Sequence, residues 1–359
     1  MKRPIARPGA RAAAFCARFG LGMPVLMAPM AGSSPPALAA AVANAGGMGA
    51  CGALSLSAQG IGDWAARFRQ QSAGAFQINL WVPDPVPRRD AAQERALADF
   101  LTGFGPRPVP PDAPLLHDFD EQFAAILAAA PPVASTIMGL LRADQVAALK
   151  VRDIAWFATA TTLDEALQAQ AAGADAIIAQ GAEAGGHRGA FSPQEAPRAS
   201  IGTLALVPAI ADAVDLPVIA AGGIGDGRGV AAGLVLGASA AMVGTAFLRS
   251  PEADITPVWA AALARARPED TVLTPAFSGR MARALRNTYT EAAAAPDAPP
   301  PAPYPVQRHL TEPMRQAAIA AQDFEHLYAL AGQAAGLARA EPAGTIATRL
   351  WDEARALLG

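Results

Sequence analysis

The sequence predicts an α/β fold, a closed (β/α)8 TIM barrel carrying an inserted segment and a C-terminal helical cap. Three observations carry this. Short apolar runs alternate with helix-length Ala/Leu patterns, there are eight such runs, and the glycine-rich turns follow the seventh and eighth runs rather than the first. Parallel strands need crossovers of helix length, and eight of them close a barrel. An open doubly wound sheet is the competing architecture, but it more often places its glycine fingerprint after the first strand.

In order, "PVLMAPM" (24–30) precedes a helical pattern at 35–45, "GMGACGA" (47–53) precedes 59–71, and "AFQINLW" (75–81) ends the first block. After Trp81 the rhythm breaks into "VPDPVP" and "GFGPRPVPPDAP", so 82–130 is expected to be an insertion. The pattern resumes with "PPVASTIM" (131–138) and a helix at 142–149. "DIAWFATA" (153–160) precedes "TLDEALQAQAAG", and "ADAIIAQG" (174–181) precedes a glycine-rich stretch and a helix near 202–214. "LPVIAAGGIG" and "ASAAMVGTAF" supply the last two strands. The barrel is thus expected over 20–81 and 131–250. The extended proline segment "AAAAPDAPPPAPYPVQ" (292–307) lies within 251–359, which with the insertion is expected to form a cap and substrate region.

Composition narrows the function. At 52% hydrophobic and 16% charged residues the 359-residue chain buries a large core. A net charge of −3 without a basic block argues against nucleic acid. Cys16 and Cys51 make no disulfide framework and have no partner at metal-ligand spacing. Arg11 and Arg18 interrupt any signal-peptide core, and no later run is long and apolar enough to span a bilayer. A cytoplasmic protein, monomer or homodimer, is the expectation.

Barrel chemistry sits in the loops at strand C-termini, and the loops after the last two strands commonly bind phosphate. Gly222 and Gly223 in "AAGGIGDGRG", and Gly244 with Thr245 in "MVGTAF", occupy those places and offer main-chain N–H groups to an anion. Each loop alone is also explained as a tight turn. Across the mouth, Pro29 and Met30 in "LMAPMAG" make a stiff apolar ledge for a flat ring. Asn79 and Gln180 end the third and sixth strands, where amides suit the mixed donors and acceptors of an isoalloxazine edge or, equally, bond a neighbouring loop.

"QGAEAGGHRGAF" (180–191) packs four glycines around Glu183, His187 and Arg188. Glycines 181, 185, 186 and 189 let the backbone press on a planar ligand, and His187 overhangs the same mouth. A neutral imidazole there accepts a proton from an acidic C–H; a protonated one holds an anion. His117, His309 and His326 lie in polar or helical segments and are expected to be structural.

The sequence resembles the nitronate monooxygenase family, formerly 2-nitropropane dioxygenases, in its larger class with a tail after the barrel. The motifs are "APMAG" (28–32), "AGGMGACGA" (45–53), "QINLW" (77–81), "ATATTLDEALQAQAAGADAIIAQGAEAGGHRG" (158–189), "VIAAGGIGDGRGVAAGLVLGA" (218–238), "MVGTAFL" (242–248), "FSGRMARALRN" (277–287) and "AGQAAGLAR" (331–339). The resemblance implies noncovalent FMN and oxidation of alkyl nitronates by O2 to carbonyl compounds and nitrite. It implies cofactor contacts at Ala28, Pro29, Met30, Asn79, Gln180, Gly185, Gly186, Gly222, Gly223, Met242, Gly244 and Thr245, with His187 catalytic. Leu330 stands where the family has Trp before "AGQ", which implies a shallower pocket wall, with Tyr304 and Tyr328 available to line it. A substrate such as propionate 3-nitronate needs a cation for its carboxylate, and Arg188 or Arg280 is expected to supply it.

Two other functions fit the same barrel. One is FMN-dependent reduction of quinones or enoyl thioesters by NAD(P)H, although no separate dinucleotide fingerprint is visible. The other is a flavin- or phosphate-binding module without turnover, which a His187 buried behind Glu183 would favour.

Overall fold

The computed structural model describes residues 7–109 and 116–359; the N-terminal Lys2 and part of the proline-rich stretch at 103–114 lie outside the described residues. Eight parallel strands form the barrel: β1 (Val25–Met27), β2 (Gly49–Gly52), β3 (Phe76–Trp81), β4 (Val133–Ile137), β5 (Ala155–Ala160), β6 (Ala176–Gln180) and, after the two-residue β7 (Gly186–His187), β8 (Val218–Ala221) and β9 (Ala240–Val243). The order is β1-β9-β8-β6-β5-β4-β3-β2. A parallel bridge between Leu26 and Met48 closes the ring.

Alternation sorts the side chains. Trp156, Ala158, Ile177 and Ala179 face the helices, whereas Phe157 and Ile178 fill the interior with Leu26, Met48, Val133, Ile219 and Met242. The helix Pro8–Phe19 plugs the lower end, with Phe15 and Phe19 centred 6.0 and 5.2 Å from the Phe157 ring. The interior is therefore packed below, and only its upper rim is open to chemistry.

Two expected boundaries are corrected. Helix Phe119–Ala129, which falls in the expected insertion, packs against helix Ala58–Arg69 and β3, with Phe123 and Ile126 in the main core. Helix Ala343–Leu358, expected in the cap, packs between helices Gly227–Val235 and Pro36–Asn44 and buries Ile346, Ala347, Leu350 and Ala354 in that core. Gly227 admits it: a Cβ there would lie 2.2 Å from Glu353 Cβ. These are the barrel's third and eighth helices. Each apolar stripe has nowhere to go but the sheet, so a long excursion between strand and helix does not release it.

The described parts of both excursions, 82–109 with 116–118 and 245–342, thus rise over the same mouth, the excursions leaving from the C-termini of β3 and β9. They meet in a second core of Leu97 and Leu101 from helix Ala91–Leu101 against Phe277, Tyr289, Val306, Leu310 and Met314. The hairpin of β10 (Thr271–Thr274) and β11 (Ala282–Leu285) takes β7 as its third strand. Among the described residues no helix is long and apolar enough to cross a membrane.

Candidate active site

The loop after β6 is pulled upward into the cap. Gly186 takes φ +78°, and His187 pairs with Ala282 of β11 while Gly186 pairs with Arg283. Gln180 staples the loop from below, donating from Nε2 to His187 O (2.9 Å) and accepting at Oε1 from Gly189 N–H (2.8 Å). Its amide therefore does structural bonding first, with one N–H and one lone pair left over.

The His187 ring stands edge-on to Trp81, centroids 4.6 Å apart at 64°, and Trp81 stacks on Tyr304 at 4.8 Å and 7°. On the other side Nε2 lies 2.8 Å from Ser278 Oγ and 3.2 Å from the Tyr328 hydroxyl. Burial in this aromatic box, with the charges of Arg308, Arg280 and Arg315, pushes the imidazole pKa down to about 3. At neutral pH it is an uncharged base or acceptor. Glu183 does not cover it; that carboxylate accepts from the N–H and hydroxyl of Thr203 at 2.9 Å, at the start of helix Thr203–Ala211.

Two polar atoms of the box are buried without a hydrogen-bond partner among the described residues, Trp81 Nε1 and Tyr304 Oη. Orphaned buried donors are costly, and each calls for an explanation. Burial raises the Tyr304 pKa, and that of Tyr328 to about 12, so both phenols keep their protons.

Neither cation expected for the substrate is available. Arg188 is 3% exposed and turned into the scaffold, donating to the carbonyls of Gln180, Thr161 and Ala199. Arg280 is 1% exposed and held by both carboxylate oxygens of Asp84 and by Ala190 O. Both guanidinia thus spend their terminal nitrogens on the scaffold, although Arg188 Nε is buried without a partner among the described residues. Arg308, half-buried and bonded to Ser55 Oγ at 3.1 Å, is the cation acting most strongly on His187. His326 pairs with Asp323, His309 approaches Val109 O, and His117 is exposed, all away from the mouth.

Beside the foot of the histidine loop, where a Cβ on Gly223 would lie 3.3 Å from Glu183 Cβ, Gly222 and Gly223 adopt φ +113° and +70°, conformations closed to most residues. Gly244 abuts Ala28 and Met30: a Cβ there would be 3.2 Å from Ala28 Cβ and 3.5 Å from Met30 Sδ. The ledge, the β8 loop and the β9 loop follow adjacent strands, β9 pairing with both β1 and β8, with Met242 filling the barrel interior beneath. Asn79 donates to Ser135 Oγ (3.1 Å) and keeps its carbonyl and second N–H. Gly185 has a different task, since a Cβ there would lie 2.4 Å from Gly332 N; its bareness admits the tail, whose Gly332 N–H donates to Thr245 Oγ1 (3.0 Å). Trp81, Ser278 and Arg308 were not singled out from sequence. Trp81 and Ser278 sit inside "QINLW" and "FSGR", where only the third dimension shows that both touch one imidazole.

A closed barrel with glycine-built loops after its last two strands and a neutral histidine in an aromatic box defines a (β/α)8 enzyme acting on a small molecule. The nitronate monooxygenase family model matches residues 15–353. The chain is 41% identical to nitronate monooxygenases of Paraburkholderia phytofirmans, over 92% of each chain, and of Pseudomonas aeruginosa, over 95% of this chain and 99% of that one. Its structure is similar to nitroalkane oxidase from Streptomyces ansochromogenes (TM-score 0.86, 38% identity, 96% and 100% covered) and to FabK from Thermotoga maritima (0.74, 27%, 96% of each). The chain belongs to the nitronate monooxygenase family and is an oxidoreductase.

Proposed function

We propose that the enzyme oxidises small alkyl nitronates with O2, using bound FMN, to the carbonyl compound and nitrite. The observation that carries this is the uncharged His187 in an aromatic box with the orphaned Trp81 N–H and Tyr304 O–H beside it.

The residues fit the cofactor. The positive-φ pair Gly222–Gly223 and the loop Gly244–Thr245 suit a phosphate held by main-chain amides. Asn79 has the free carbonyl and N–H that a pyrimidine edge requires, and Ala28, Pro29 and Met30 supply an apolar wall. When bound, FMN supplies the redox chemistry, accepting electrons from the nitronate and delivering them to O2.

The protein's own task is to bind, orient and deprotonate. Trp81 and Tyr304 donate to nitronate oxygens, and the cap of Phe277, Tyr328 and Tyr304 excludes water above them. Where a neutral nitroalkane enters, His187 removes its α-proton. Arg308 meets a substrate carboxylate in place of Arg188 and Arg280.

The test is oxygen uptake and nitrite release with propionate 3-nitronate by the FMN-loaded protein and by His187→Asn. A large loss in the variant with flavin retained is expected. Equal rates remove His187 from the chemistry, and rapid anaerobic bleaching of the flavin by NADPH would point to a reductase instead.

A further inference from the structure

We infer that Ser278 is a positioning residue that fixes His187 as its Nε2–H tautomer and so presents the Nδ1 lone pair as the base. This rests on His187 being the base of the proposed function.

The inference follows the direction of a short hydrogen-bond chain. Ser278 Oγ lies 2.8 Å from His187 Nε2 and 3.0 Å from the carbonyl oxygen of Arg280, and it accepts from the Arg280 N–H at 3.3 Å. A backbone carbonyl has no proton to give, so the terminal member of the chain is a fixed acceptor. With Ser278 donating its single proton to Arg280 O at 3.0 Å, it meets Nε2 by accepting. Nε2 must then carry the ring hydrogen. With the opposite tautomer, two lone pairs would face each other at 2.8 Å, or the Arg280 carbonyl would lose its serine.

The surroundings hold the acceptor still. Ser278 is 1% exposed, and its neighbour Arg280 is anchored through Asp84 and Ala190 O, so the carbonyl that sets the polarity belongs to one of the most firmly tied segments of the cap. Tyr328 Oη, 3.2 Å from Nε2, can share the same N–H as a second acceptor, its own hydroxyl being hydrogen-bonded with Ser278. Nδ1 bonds to none of the described residues. The other ring nitrogen is thereby committed and this one is left free, the arrangement by which an outer hydrogen bond selects a tautomer.

In the step served, the Cα–H bond of a nitroalkane breaks, its proton goes to Nδ1, and the electron pair passes into the nitro group to give the nitronate. The imidazolium so formed keeps its Nε2–H on Ser278 until Nδ1 releases the proton to solvent. A substrate supplied as the nitronate skips this step, so the serine affects one substrate form and not the other.

The experiment has two arms. In the first, 15N-histidine-labelled holoenzyme is observed by NMR, with His187 assigned by its absence in His187→Gln. A pyrrole-like Nε2 and pyridine-like Nδ1 in wild type, shifting toward a tautomer mixture in Ser278→Ala and returning in Ser278→Thr, is the expected result. A protonated Nδ1 in wild type overturns the inference without any variant, so misfolding of Ser278→Ala cannot shelter it. In the second arm, Ser278→Ala should lower kcat for nitroethane about tenfold while changing kcat for ethyl nitronate about twofold or less, because only the former needs the base. Equal losses on both substrates would overturn the positioning role. If neither compound is turned over by wild type, the proposed function fails, while the tautomer measured by NMR still decides the assignment to Ser278.

Discussion

Arg280 and Asp84 join the two excursions that roof the barrel: Arg280 Nε donates to Asp84 Oδ2 at 2.8 Å, and a second guanidinium nitrogen reaches Oδ1, with Arg280 1% exposed. Asp84 follows β3 and Arg280 precedes β11, so this pair ties segments 196 residues apart directly over the mouth. Removing one partner strands the other charge in the interior. Asp84→Ala should therefore destabilise the protein by about 3–5 kcal/mol, measured by urea unfolding. The pair's role is structural, so at temperatures where Asp84→Asn remains folded, its KM for a carboxylated nitronate should stay near that of wild type; a selective rise in that KM would restore Arg280 as a substrate cation.

Acidification should weaken wild type more than a variant lacking the imidazole. His187 has its pKa pushed down to about 3 by burial and by Arg308, Arg280 and Arg315, while in the unfolded chain it titrates near ~6.5. Between those values the unfolded state binds the extra proton, so stability is fully present above about pH 6.5 and falls as pH drops toward 3. Urea unfolding of wild type and His187→Asn at pH 7.5 and pH 5 should show the larger loss in wild type. The same shift means that turnover of a preformed nitronate should show no acid limb near pH 6.5; a limb there would place a protonated ring in the working enzyme.

Much of the barrel could be read in advance because its strands are short apolar runs whose register needs no distant information. "PVLMAPM", "AFQINLW" and "ADAIIAQG" each contain the observed strand. Assigning helices Phe119–Ala129 and Ala343–Leu358 to the barrel was harder, because an amphipathic stripe says that a helix packs without saying on what, and long proline-rich excursions hide the partner. At the site, His187 stood out through its glycine setting. Gln180 did not reveal that its amide bonds His187 O and Gly189 N–H, nor did the sequence reveal that Arg188 turns into backbone carbonyls and that Asp84 answers the charge of Arg280. Hydrogen-bond satisfaction is a property of the folded neighbourhood, and no local pattern encodes it.

The two adjacent glycines of the histidine loop should differ sharply on substitution. In Gly185→Ala the new methyl would lie 2.4 Å from Gly332 N and 2.5 Å from the Ala331 carbonyl carbon, a clash with backbone that cannot rotate away. In Gly186→Ala nothing lies within 4 Å, and only the φ of +78° opposes the change, at about 1–2 kcal/mol. Gly185→Ala should thus lift the tail off the Thr245 hydroxyl, lowering Tm further and abolishing most activity, whereas Gly186→Ala should retain a measurable rate. Similar behaviour of the two would mean that the tail does not seat on this loop.

Arg308 should set the preference for carboxylated substrates, since Arg188 and Arg280 are occupied and Arg308 is the strongest cationic influence on the His187 ring. Its guanidinium bonds the Ser55 hydroxyl at 3.1 Å, a neutral partner that a carboxylate displaces at little cost, with Glu312 the nearby protein carboxylate. Charge-assisted hydrogen bonds contribute about 1.5–3 kcal/mol. Arg308→Gln should therefore raise KM for propionate 3-nitronate on the order of tenfold or more, while KM for ethyl nitronate, which lacks the carboxylate, changes much less. Because the same substitution removes a positive neighbour, the His187 pKa should move upward from about 3 toward its ordinary value, which 15N-histidine NMR titration would follow. Parallel changes in KM for both nitronates would assign Arg308 to the general field of the mouth and leave the carboxylate without a dedicated partner.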